Sequence, residues 1–68
     1  MNTIRNNLKE YGLKAGLTQN EVAKMLGLKS NNRLSRWENG KAYPGLTNLL
    51  KLIEIYKTAS ENLFVNEN

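Results

Sequence analysis

The stretch "LTQNEV", Leu17 to Val22, dictates where one helix begins, and much of the architecture can be read outward from it. Thr18 followed by Glu21 forms a capping box, in which the threonine oxygen accepts the Glu21 amide and the glutamate reaches back to the Thr18 amide. Leu17 before the cap and Val22 at the fourth helical position are spaced to clasp across the helix start. Val22, Ala23 and Leu26 then share the inward side. Gly27 ends the helix after about two and a half turns.

Four more helices are expected around this one. The first spans Asn2 to Lys14, with Ile4, Leu8, Tyr11 and Ala15 as its apolar stripe. Gly12 interrupts it at a cost of about 1 kcal/mol relative to Ala, and Gly16 closes it in a left-handed conformation. The third runs from a Ser30 cap to Glu38, and Asn39 or Gly40 supplies the positive φ at its end. Only Leu34 and Trp37 are strongly apolar there, so most of this helix faces away from its own core. Pro44 and Gly45 mark a turn. The fourth covers Leu46 to Tyr56, with Leu46, Leu49, Leu50, Ile53 and Tyr56 on one face and Leu52 and Ile55 at its side or back. In the fifth, Thr58 and Glu61 match a second capping box, and Leu63 and Phe64 return to the core. No run alternates with period two, so no strand is expected. The fold class is therefore all-α, a compact five-helix bundle. One domain covers 1–64, and a polar tail at 65–68 frays.

Composition narrows the function. A chain of 68 residues without cysteine has no disulfide, which fits a reducing compartment. Without histidine as well, a zinc site built on nitrogen or sulfur ligands is excluded, and no metal or cofactor is implied. The acidic residues are six glutamates and no aspartate, and none are placed as a catalytic pair across a cleft, so an enzyme is not expected. Residues 1–43 hold eight basic and three acidic side chains, whereas residues 44–68 hold two and three. A basic front and a near-neutral back suit an anionic partner on one side, although solubility charge alone would give the same count. The N-terminus has no signal-peptide core, and no apolar run approaches the ~20 residues of a membrane span. A cytoplasmic protein is expected.

The second helix, a tight turn and the third helix make a helix-turn-helix. In that layout the start of the second member meets base edges in the DNA major groove. Asn31, Asn32 and Arg33 occupy that start, and Arg36 shares their face. Asparagine can bond adenine, and arginine guanine, with two hydrogen bonds. Thr18, Gln19, Asn20, Lys29, Ser30, Asn39, Lys41 and Tyr43 flank them as phosphate contacts. The plainer alternatives are that the asparagines start a helix and the arginines form a solvated face. Trp37 is expected in the core rather than as a stacking platform. RNA suits the pattern less well, because an A-form major groove does not admit a helix.

"GLTQNEVAKMLGL" followed by "LSRWENGKAYPGLTNLLKLIEIY" resembles the phage repressor and Cro type of helix-turn-helix domain, called XRE-type, over Leu8 to Phe64. The resemblance implies a lambda-repressor-like bundle, dimeric binding to a roughly palindromic operator, and transcriptional control, with repression expected. It makes Asn31, Asn32, Arg33 and Arg36 the base readers, gives Gln19 a phosphate or base-edge role, and assigns backbone contacts to Asn39, Gly40 and Lys41. Two departures stand out. The turn "GLKSNN" is one residue longer than the commonest family form, which leaves Asn31 and Asn32 competing as the leading reader. Many members carry arginine where this chain has Gly12, paired with the glutamate matching Glu38, so Glu38 is expected to lack its partner. Gly12→Arg is then expected to raise the thermal midpoint. Leu52, Ile55, Leu63 and Phe64 either form a dimer surface or complete the monomer core. The rival function is a protein-interaction module, such as an antitoxin or anti-repressor partner.

Overall fold

Thr18 starts a helix as its surroundings require. In the computed structural model, which describes residues 3–67, Thr18 Oγ1 accepts the Glu21 amide at 3.1 Å and Glu21 Oε1 accepts the Thr18 amide at 2.9 Å. The chain order is β1 (Thr3–Asn6), α1 (Leu8–Ala15), α2 (Gln19–Met25), α3 (Asn32–Glu38), α4 (Leu46–Tyr56), α5 (Ser60–Leu63) and β2 (Phe64–Glu67).

Each helix sends a side chain to one core. Leu8, Val22, Leu34, Leu52 and Leu63 come from α1 to α5 in turn, and Leu26, Trp37 and Tyr56 complete the cluster. Leu8, Leu34, Leu52 and Leu63 are fully buried. The turns hold these short helices at the angles this packing needs. Gly27, with φ 78°, breaks the chain out of α2, and Gly40, with φ 73°, does the same after α3. Asn39 has φ −91°, so the glycine supplies the left-handed residue there. Lys51 on α4 donates to the Leu26 carbonyl at 3.3 Å, which satisfies an end group of α2 and places a cation at that helix's negative pole.

Two expectations fail at the chain ends. A sheet exists: β1 and β2 pair antiparallel, with Ile4 opposite Asn66 and Asn6 opposite Phe64. Val65 to Glu67 are therefore held in a ladder rather than frayed, while Asn68 lies outside the described residues. The first helix starts at Leu8, and Ile4 belongs to a strand, not to its apolar stripe; the expected start at Asn2 also lies outside the described residues. Asn6 makes the break. Its side chain accepts the Leu8 amide at 3.2 Å and donates to the Trp37 carbonyl at 3.0 Å.

Two details of the back half also differ. The α4 stripe is rotated, with Leu52 and Tyr56 buried and Leu46 and Leu50 exposed at 72% and 55%. Residues four apart lie on one face, so turning Leu52 inward brings Tyr56 with it and leaves Leu46 and Leu50 outside. No second capping box forms. Ala59 is the N-cap of α5, and Thr58 Oγ1 instead accepts from the Asn62 side chain at 3.0 Å.

Candidate nucleic-acid interface

The two helices at the front are joined by a turn whose backbone bonds are satisfied locally. Gly27 N–H donates to Lys24 O at 3.0 Å and Leu28 N–H to Ala23 O at 2.9 Å. Ser30 Oγ accepts the Asn32 amide at 3.3 Å, but Asn31, not Ser30, occupies the N-cap position of α3. The helix therefore begins later than the sequence suggested.

Helix α3 divides cleanly between two sides. Leu34 and Trp37 are buried, at 0% and 4% exposure. Asn32, Arg33 and Arg36 are exposed, while Asn31 is half-buried. The exposed three follow the i, i+3, i+4 spacing that puts them on neighbouring positions of one helix surface. Asn32 thus presents more of its side chain than Asn31, the other reader suggested by the sequence.

The flanking residues gather unevenly. Asn20, Lys29 and Ser30 border one groove of about 350 Å³, and Lys29, Ser30 and Arg33 border another of about 340 Å³. Lys24 lies on the first groove and was not singled out from the sequence; its spacing of four from Asn20 was the available signal. Glu21 lies there too. Its carboxyl is held below the usual range by the Thr18 amide and hydroxyl. Thr18 is exposed, but its oxygen serves the cap. Asn39 and Lys41 are exposed beyond the end of α3, and the Asn39 amide donates to Ser35 O at 2.9 Å. Tyr43 is exposed and follows Lys41 by two residues. Its ring lies edge-on to Phe64, with centroids 6.2 Å apart, in a cleft shared with Ile4 and Leu49.

The far end of α3 is anchored by two side chains. Asn6 donates to Trp37 O and, at 3.4 Å, to Glu38 O. Gln19 Nε2 donates to Glu38 Oε1 at 2.5 Å. Glu38 therefore does not stand without a partner, as Gly12 had suggested; a neutral amide reaches it from the first turn of α2. Gln19 is half-buried and committed to this bond, a role that sequence spacing did not reveal. Beside it lies Tyr56, whose buried hydroxyl has no hydrogen-bond partner among the described residues. Burial, and then the nearby Glu38 charge, push its pKa up to about 12.

The residues weighed for a dimer surface split in the same way. Leu52 and Leu63 are fully buried in the monomer core, which removes them from any partner surface. Ile55 and Phe64 are half-buried. The exposed large apolar side chains among the described residues are Ile4, Leu13, Met25, Tyr43, Leu46 and Leu50. Among the described residues, no group of three His, Cys, Asp or Glu side chains is placed to hold a metal ion. No described helix is long and apolar enough to cross a membrane.

Comparison with known proteins agrees with this layout. Residues 8–63 match a family model described as helix-turn-helix. The HTH-type transcriptional regulator ImmR of Bacillus subtilis (strain 168) is 41% identical over 56 residues, which is 82% of this chain and 43% of ImmR. The chain thus spans less than half the length of that relative. Among solved structures, the P22 c2 repressor protein in complex with synthetic operator 9T superposes with a TM-score of 0.74 at 27% identity, covering 81% of this chain and 82% of that one.

Proposed function

The chain belongs to the XRE-type helix-turn-helix family, and from that premise we propose that it is a sequence-specific double-stranded DNA-binding transcriptional regulator. It acts as a repressor, in the cytoplasm, as a homodimer on a roughly palindromic operator. It is a binding protein, and no reaction is assigned to it. The observation that carries this reading is the division of α3, with Leu34 and Trp37 buried and Asn32, Arg33 and Arg36 exposed on the opposite side. A helix held by one side and polar on the other can enter a major groove without losing its packing. The operator complex of the similar P22 c2 repressor supports the same partner.

Asn32, Arg33 and Arg36 read bases, with Asn32 ahead of the half-buried Asn31. Asparagine selects adenine through N6 and N7, and arginine selects guanine through O6 and N7. Lys29, Ser30 and Asn20, joined by Lys24, contact one phosphate run, and Asn39 with Lys41 contacts the other. Gln19 acts mainly through Glu38, as a brace between α2 and α3. Thr18 holds the start of α2 by accepting the Glu21 amide, which leaves its hydroxyl proton for a DNA phosphate.

We assign self-association to the exposed apolar residues of α4 and the cleft beside it. Leu46 and Leu50 lie one turn apart on α4, and Ile4, Tyr43 and Phe64 border the adjoining cleft. Self-association there gives the two half-sites a spacing of about 34 Å. Selection of bound duplexes from a random DNA pool tests the whole reading. A two-fold symmetric enriched site is the expected result. No enrichment, with only weak salt-sensitive binding, sinks the operator reading and favours a protein-interaction module.

A further inference from the structure

A cleft of about 270 Å³ lies between α1, the start of α2 and the end of α3. Gly12 borders it without a side chain. A Cβ built there would lie 3.6 Å from Tyr56 Oη and 3.7 Å from the Leu17 carbonyl oxygen, in open contact rather than collision. Leu13, Leu17, Val22 and Leu34 give the cleft apolar walls. Its polar lining combines the Glu38 carboxylate with the Thr18 and Tyr56 hydroxyls, the Gln19 amide and the Lys9 ammonium. The Glu38 carboxylate takes a single neutral hydrogen bond, from Gln19. Tyr56 is buried, at 7% exposure, and its hydroxyl has no hydrogen-bond partner among the described residues.

A carboxylate and an orphaned phenol oxygen beside apolar walls define a chemical preference. An ionised carboxylate is acceptor-only and can receive a bidentate fork of N–H donors. A guanidinium is planar, weakly hydrated and carries five donors in fixed directions, so it can satisfy several oxygens while its faces rest on hydrocarbon. A calcium ion would require six to eight oxygen ligands, more than this cleft supplies. We infer that the cleft is a binding site for a small organic cation of the guanidinium class, seated between the Glu38 carboxylate and the Tyr56 hydroxyl oxygen. Asn32, Arg33 and Arg36 on the exposed face of α3 do not line this site. Lys9 lies on the lining with a charge of the same sign as the ligand, and so weakens binding.

The test is a titration of the intact chain with methylguanidinium chloride, followed by amide NMR, with tetramethylammonium chloride at equal ionic strength as the control. Saturable shifts at the Gly12 amide and the Gln19 side-chain amide, absent with the control salt, are expected. Glu38→Gln weakens binding about tenfold, the equivalent of losing a charge-assisted hydrogen bond. Tyr56→Phe weakens it about threefold, and Lys9→Gln tightens it about twofold. Gly12→Arg tethers a guanidinium in the cleft, abolishes binding of the added ligand and raises the thermal midpoint. Non-saturating shifts shared with the control salt overturn the proposal, as does unchanged binding in Glu38→Gln. Should Glu38→Gln fail to fold, unchanged binding in Tyr56→Phe overturns it equally. Binding that appears only in Lys9→Gln shows that the Lys9 ammonium fills the cleft itself, and also overturns it.

Discussion

The two sides of α3 obey different constraints, though they share seven residues of backbone. Leu34 and Trp37 face a core to which all five helices contribute, and there each atom is judged by packing. Asn32, Arg33 and Arg36 face outward, where the fold asks almost nothing of them. The inner side sets where the outer side stands. The difference teaches that stability and recognition are written on opposite faces of one short helix, so mutations should separate them.

Leu34→Ala should have the largest effect. It removes a fully buried side chain and should cost about 2–5 kcal/mol. Against a total stability of about 5–15 kcal/mol for a typical domain, that is a severe loss in thermal or urea denaturation. A loss below about 1 kcal/mol would break the comparison at its inner side. Arg36→Ala comes next. It should reduce affinity for the selected duplex by about 1–3 kcal/mol while moving the thermal midpoint very little. A large fall in midpoint would show that Arg36 is structural after all.

Asn6→Ala sharpens the comparison from outside the helix. It removes the amide bonds to the Trp37 and Glu38 carbonyls and the acceptor for Leu8 N–H. Denaturation should show a loss of about 1–2 kcal/mol, with base preference unchanged. Asn39→Ala should have the smallest effect. Its bond to Ser35 O is exposed, so about 0.5 kcal/mol is expected in stability. A further uniform loss in DNA affinity across all sequences would mark Asn39 as a phosphate contact as well.

These faces were legible to unequal degrees. Local chemistry announced the capping box at Thr18 and Glu21, the turn at Gly27 and the inward pair Leu34 and Trp37, because each depends on neighbours within a few residues. The terminal sheet was not legible. Strands of four residues give no reliable period-two pattern, and β1 finds its partner at the other end of the chain. The α4 stripe misled for a related reason: its run of leucines and isoleucines fits more than one rotation, and only packing against the other helices turns Leu52 inward. The Asn6 latch and the Gln19–Glu38 bond also join residues far apart in sequence, at separations of 31 and 19. Spacing rules reach one or two helical turns, and these contacts lie beyond them.

The most direct test of the account is the base-by-base specificity of Asn32→Ala and Arg36→Ala, measured against single-position variants of the selected duplex at one fixed salt concentration. Each variant should lose discrimination at one base pair, repeated symmetrically in both half-sites, with its fold intact by circular dichroism. An equal loss at every position, with the parent's preferences retained, would contradict the claim that the outer face of α3 reads bases.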